Sequence, residues 1–275
     1  MKQSVMFPKI AMYSFLLIGV AISLFPFYWM AIGATKTSGE ILSIPPSLLP
    51  GNHLFENLKS LNESMHFGRV VWNSIFVSFT STFLSVLIAS MAGYAFSKFQ
   101  FKGKSISFFI ILCTLMIPFQ VTLIPLFEIM VNLNWLNTYQ AIILPSLASP
   151  FAIFLMKQNL SSVPDSMIEA ARIDGAGEFK IFFKVVLPTM RPAIAAVSIF
   201  LFMSQWNSLL WPLITLKTTE MSTLPVALSS LVGLARIDYG QVMLGTTLSI
   251  IPILIFFLVF QKNFVSGIMG GSIKE

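Results

Sequence analysis

The sequence predicts an all-α integral membrane protein with six transmembrane helices and both termini in the cytoplasm. Three observations lead there. The 275 residues are 56% hydrophobic and only 10% charged, with 27 Phe, whereas soluble domains carry about 25% charged residues. The few charges are gathered into short segments between long uncharged intervals. Lys and Arg favour every second one of those segments, which is the asymmetry that sets membrane orientation.

A helix needs about 20 apolar residues to cross a bilayer, and a charge at its centre costs about 2.5–3.5 kcal/mol on insertion scales. The uncharged intervals are 10–35, 70–97, 105–127, 129–156, 192–216 and 239–261. The first, Ile10 to Thr35, is too long for a signal-peptide core and lacks a clean small-x-small cleavage site, so it reads as a span that stays. The second carries Ala89 and Gly93, small residues that suit close helix contact. The fourth opens with polar residues, so its helix is expected to start near Tyr139. The interval 221–235 is too short to span and reads as an interfacial or loop helix. Prolines 26, 118, 125, 145, 150 and 252 fall within spans. Two readings fit them, ordinary kinks and bent helices around a path that opens and closes.

With the N-terminus inside, the inner segments hold twelve basic residues: Lys2, Lys9, Lys98, Lys102, Lys104, Lys157, Arg172, Lys180, Lys184, Arg191, Lys262 and Lys274. The outer segments hold five: Lys36, Lys59, Arg69, Lys217 and Arg236. The net charge of +6 therefore reports topology and needs no nucleic acid. The chain reads as one domain, 1–275, with an inner loop at 157–191 and an inner tail at 262–275.

No catalytic or metal site is visible. Cys113 stands alone in an apolar run, and His53 and His66 lack metal-ligand spacing. Neither HExxH nor GxSxG occurs. Gly103-Lys104-Ser105 resembles the end of a phosphate loop, but the position of the cradle glycine is Lys98. Of the ionisable residues only Glu128 lies near a span, so no proton relay crosses the membrane.

The loop 157–191 is the longest inner connection. A first short helix is expected from Asp165 to Ile173, with a capping-box-like start at Ser162 and Asp165 and Pro164 in its first turn. Gly175 and Gly177 end it, and Gly175 is expected at positive φ. A second short helix is expected from Glu178 to Val186, stopping before Pro188. Ala170, Ala171 and Gly175 would let another surface approach the backbone, while Glu169, Arg172 and Asp174 could pair across the contact. Short amphipathic helices also lie on membrane faces, so the pattern alone leaves both readings open.

The order Glu169-Ala170-Ala171, three residues, Gly175, nine residues, Val185-x-Leu187-Pro188 resembles the EAA loop of permease subunits of binding-protein-dependent ABC importers. The segments 73–104, 116–130, 136–145, 205–213 and 259–275 are similar to the carbohydrate branch, of the maltose and oligosaccharide type. The similarity is weakest in 37–69. It implies the type I ABC importer permease fold in a bacterial-type cytoplasmic membrane, in contact with lipid. It also implies docking of the short loop helix on a separate ATPase through Glu169, Ala170, Ala171, Arg172, Asp174 and Gly175. The partners implied are a related second permease, an ATPase dimer that holds ATP and Mg, an extracytoplasmic sugar-binding protein and a sugar. No cofactor is expected on this chain. An importer for another polar solute is the nearest alternative. An ion-coupled carrier or channel, or a membrane-anchored enzyme, would need polar groups that are missing. Gln205, Trp206, Asn207 and Trp211 suit sugar contact by residue type and equally suit an interfacial belt.

Overall fold

The computed structural model describes residues 6–233 and 237–270, with residues 6–8, 10 and 262–270 as backbone only. Among the described residues every regular element is helical. In chain order these are α1 (Met6–Gly33), α2 (Ser38–Ile41), α3 (Leu54–Met65), α4 (Phe67–Lys98), α5 (Lys104–Thr114), α6 (Phe119–Asn132), α7 (Tyr139–Ser146) and α8 (Pro150–Leu160). There follow α9 (Asp165–Ile173), α10 (Glu178–Ile181), a π-helical turn at Phe182–Val186, α11 (Leu187–Thr189), α12 (Arg191–Trp206), α13 (Leu210–Thr215), α14 (Leu224–Val232) and α15 (Tyr239–Gly270). A 3₁₀ turn occupies Thr219–Met221. Contacts divide the chain into two compact units, Met1–Gly68 with Ala227–Ile251, and Arg69–Val226 with Pro252–Glu275.

Three helical stretches, Ala11–Gly33, Phe67–Lys98 and Tyr239–Gln261, are each long and apolar enough to cross a membrane. Three bent pairs raise the number to six if each pair is one span. The fourth expected span starts at Tyr139 as read from sequence, and α14 is the short helix expected within 221–235. The third differs, because α5 and α6 meet at 99°. Pro118 disfavours helical backbone at the residue before it and becomes the N-cap of α6, with ψ 136°. The fifth is interrupted after Trp206, and α13 resumes at Leu210. Pro212 has no N–H to bond the carbonyl of Ser208, so an unbroken helix there would leave that carbonyl unpaired. Pro145 and Pro150 accompany the 41° bend between α7 and α8. Ser149 caps α8 by accepting from the Ala152 N–H at 3.3 Å.

In the first unit, Phe15, Leu17 and Ile22 of α1 are exposed. A helix apolar all round and left uncovered is built to meet lipid or another helix. The end of α1 is fixed more tightly. The buried Asn57 amide donates to Ala34 O and Lys36 O, both at 2.9 Å, satisfying carbonyls freed where the helix stops. A Cβ on Gly33 would lie 2.9 Å from Met243 Cγ, so only glycine lets α15 come this close.

The second unit holds the larger core. Ala89 and Tyr94 of α4 pack with Ala152, Met156 and Leu160 of α8, Ile168 of α9 and Val197 of α12. A Cβ on Gly93 would sit 2.8 Å from Lys157 N and 2.9 Å from Met156 Cβ. The small residues of the second span therefore do set a close helix crossing, here with α8. Along another stripe of α4, Ser74, Ser78, Ser81 and Ser85 are all buried, at spacings that keep them on one helical face. Past the last expected span, α15 continues to Gly270, and residues 271–275 of the tail lie outside the described residues.

Candidate functional site

Two places in the second unit carry the residues singled out from sequence: the loop after α8 and a cavity among α4, α6, α7, α8 and α12.

The loop's first helix has the expected bounds, Asp165–Ile173. Its start is built otherwise. Pro164 is the N-cap and offers no side-chain acceptor, while Ser162 Oγ donates to Asn159 O at 2.7 Å. Asp165 is taken up instead by Lys98 at the end of α4, with Nζ to Oδ1 at 2.7 Å. The same ammonium donates to the Val163 carbonyl. The hydrogen bond and charge of Lys98 hold the Asp165 carboxyl below its ordinary pKa. The other end is a Schellman turn. Ala176 N donates to Ala171 O and Gly175 N to Arg172 O, both at 3.0 Å. Gly175 has φ +77°, the left-handed conformation that glycine adopts without strain.

The second loop helix runs past its expected stop. After α10 the backbone widens into the π turn and continues through Pro188 to Thr189. In an α-helix the proline ring would meet the carbonyl four residues back. The π turn, closed by Leu187 N to Phe182 O, shifts that register and relieves the clash.

One face of the loop is anchored. Ile168, Ile181 and Phe182 are buried in the core, each such side chain contributing about 1.5–3 kcal/mol. Phe182 also lies 5.4 Å from the Tyr94 ring. Arg172 Nε donates to Glu178 Oε1 at 2.7 Å, and Tyr94 Oη donates to Glu178 Oε2 at 3.2 Å. The bond to Glu178 raises the Arg172 pKa further. Arg172 is thus engaged within the chain. Ala171 turns toward the core, while Glu169, Ala170, Asp174 and Gly175 remain exposed. Beside them stand two apolar side chains not singled out from sequence, Ile173 at 87% and Phe179 at 73% exposure. Free space surrounds Gly175, with no heavy atom beyond its chain neighbours within 4 Å of where a Cβ would stand. The exposed face is small and apolar, with Glu169, Asp174 and the exposed Lys180 around it, a composition suited to close docking with charges paired at its edge.

The cavity has a volume of about 730 Å³. Gln205 and Trp211 line it, as do Ser81, Ser85, Gln120 and Ser204. Trp206 and Asn207 do not. Trp206 is buried and stacked on Phe202 at 5.7 Å, and Asn207 donates its amide to Met203 O at 2.8 Å. Trp211 gives its indole N–H to Ala141 O at 2.8 Å and stands edge-on to Phe119 at 6.1 Å. Among the described residues the lining has no charged side chain. The serine stripe of α4 was the sequence signal for this wall. It is a 3.6-residue polar period inside an apolar span.

Residues 85–270 match the family of binding-protein-dependent transport system inner membrane components. The lactose transport system permease protein LacG of Rhizobium radiobacter is 40% identical over 263 residues, 96% of each chain. The arabinooligosaccharides transport system permease protein AraQ of Bacillus subtilis (strain 168) is 36% identical over 269 residues, 97% of this chain and 96% of the relative. The sn-glycerol-3-phosphate transport system permease protein UgpE of Yersinia pestis is 34% identical over 262 residues, 92% and 93% of the two chains. A solved bacterial ABC transporter involved in import of the acidic polysaccharide alginate aligns with a TM-score of 0.81 at 25% identity, over 96% of this chain and 99% of that one.

Proposed function

Because the chain belongs to the family of binding-protein-dependent transport system inner membrane components, we propose that it is one of two permease subunits of a sugar importer. It is a multi-pass inner membrane protein and a transport subunit of an ABC system. The whole chain, 1–275, acts as one transmembrane domain with its termini in the cytoplasm. Its loop 157–191 docks on a separate ATPase dimer, which holds ATP and Mg. A related second permease completes the path, and an extracytoplasmic binding protein delivers the sugar.

The observation that carries this reading is the asymmetry of the loop. One face is locked to α4 and α8 by Ile168, Ile181, Lys98 and Glu178. The other presents Glu169, Ala170, Ile173, Asp174, Gly175 and Phe179 to solvent. A loop that merely lay on a membrane would turn its apolar side chains one way. Here they point both inward and outward, as a joint between two bodies requires. ATP binding then biases a two-state helix arrangement through this contact. The tail 262–275 is a second candidate for contact with the ATPase. Gln205 and Trp211, which line the cavity, are the candidates to meet sugar in the path.

The test is co-purification of the ATPase with the chain, and ATP-driven sugar uptake, from the same membranes. Loss of neither after Glu169→Lys would remove the loop as the coupling site. Orientation is checked by cysteines at Lys102 and Lys217 in a Cys113→Ser background. An impermeant reagent applied to intact cells should label only the second, and labelling of both would reject the six-span topology.

A further inference from the structure

We propose that the cavity lined by Ser81, Gln120, Ser204 and Gln205 is a binding site for an uncharged saccharide and selects against anionic ones. It rests on the sugar-importer reading and adds a selectivity located in this chain. Relatives named for lactose and for sn-glycerol 3-phosphate share its fold family, so descent does not fix the charge of the cargo.

The wall has hydrogen-bonding capacity to spare. Ser81 Oγ and Thr82 Oγ1 are buried without a partner in the chain, with their residues 3% and 5% exposed. Buried polar groups are nearly always paired, but both hydroxyls are closed to the cavity, each with under 1 Å² accessible, so the spare capacity that a ligand can reach lies elsewhere on the wall. Among the described residues the side chains of Gln120, Ser204, Gln205 and Ser208 make no hydrogen bond within the chain either. Hydroxyls and amides both donate and accept, which matches sugar hydroxyls that do the same. Phe119 and Phe200, 43% and 46% exposed, offer ring faces for the apolar sides of a pyranose. The volume of about 730 Å³ falls in the range of small-molecule sites, about 300–1,000 Å³.

An anion would fare differently. A carboxylate brings a full charge and a phosphate about 1.5–2. No Lys, Arg or His lines the wall among the described residues. Its positive potential comes from helix starts. That of α8 is already capped by Ser149. The start of α6 at Pro118 has no side-chain cap but carries only about half a charge. Desolvating an acid here would leave it largely uncompensated.

The experiment measures equilibrium binding to the detergent-purified assembly of this chain, its co-expressed partner permease and ATPase, without the binding protein. The probes are lactose and arabinotriose, each against an acid, lactobionate and glycerol 3-phosphate. Neutral probes should bind at least about tenfold tighter, the factor that one unpaired polar group can impose. Gln120→Leu and Gln205→Leu, in preparations that still hold the ATPase, should each weaken the neutral probe by about three- to tenfold. Asn207→Ala, outside the wall, should leave it unchanged. Equal or tighter binding of the acids, no saturable binding of any probe, or full affinity in both wall variants would overturn the proposal. Failure of the parent reading shows separately, as an assembly with no ATP-driven uptake of any solute.

Discussion

The loop and the cavity sit in one compact unit, and under the proposed reading they serve recognition with opposite chemistry. The loop carries Asp165, Glu169, Arg172, Asp174 and Glu178 within reach of water, with the side chain of Lys98 of α4 buried beneath Asp165. Two ion pairs, Lys98–Asp165 and Arg172–Glu178 at 2.7 Å each, fix its shape, and the remaining carboxylates face outward. The cavity lining carries no charge among the described residues and offers hydroxyls, amides and rings. The difference follows from the medium. Ions near water are cheap to solvate and screen within about 10 Å, so they can set register at a joint. Inside the membrane a lone charge is costly, so polar recognition is left to neutral groups.

The two regions depend on a common crossing, and its loss should have the largest effect. Gly93→Val would drive a side chain into the α8 backbone at Lys157, where even a Cβ is 2.8 Å away. Overpacking of this kind costs about 1–3 kcal/mol or more. Membrane-inserted yield should fall, measured by fluorescence-detected size exclusion. Full yield would mean that α4 and α8 can separate without loss, and that loop and cavity are held independently.

Gly175→Val should separate the regions cleanly. Open space around the glycine leaves backbone strain as the intramolecular cost, about 1–2 kcal/mol for a left-handed residue. That is too little to unfold the helices. The variant should insert normally and keep sugar binding in the cavity, yet lose ATPase co-purification and uptake. Loss of sugar binding as well would show that the regions are not separable.

Lys98→Met should act in the same direction and more weakly. It leaves the Val163 carbonyl and Asp165 without their ammonium while Ile168 and Ile181 still anchor the loop. ATPase recovery should fall by no more than about fivefold, the ceiling for a partly exposed ion pair. A complete loss would make this single lysine, and not the buried apolar face, the anchor.

The smallest effect concerns pH. Asp165 titrates below its ordinary value of about 3.9, because Lys98 stabilises the carboxylate. A lowered carboxyl contributes its stability above the unfolded pKa and loses it only as pH falls through the folded one. Arg172 is raised and stays charged. ATPase association should therefore be flat between about pH 6 and 8. A fall inside that window would point to a titrating group outside these two pairs.

Much of the molecule is legible in its residues alone. The uncharged intervals specify the helical class, and the turn chemistry of Asp174-Gly175 specifies the end of α9 and the positive φ at Gly175. The start of α7 at Tyr139 and the small crossing residue Gly93 are legible too. All of these rest on local propensity or on hydrophobicity, which act over a few residues. Tertiary structure decided the rest. Whether Pro118 kinks a helix or turns it by 99° depends on what the two pieces pack against. Asp165 could cap its own helix, yet it pairs with Lys98, 67 residues away. Trp206 and Trp211 are of one residue type in one segment, but the break after Trp206 turns one onto Phe202 and the other into the cavity wall. Glu178 meets Tyr94 across 84 residues. A sequence records which groups can bond, but only the packed chain brings distant ones within about 3 Å of each other, the reach of a hydrogen bond.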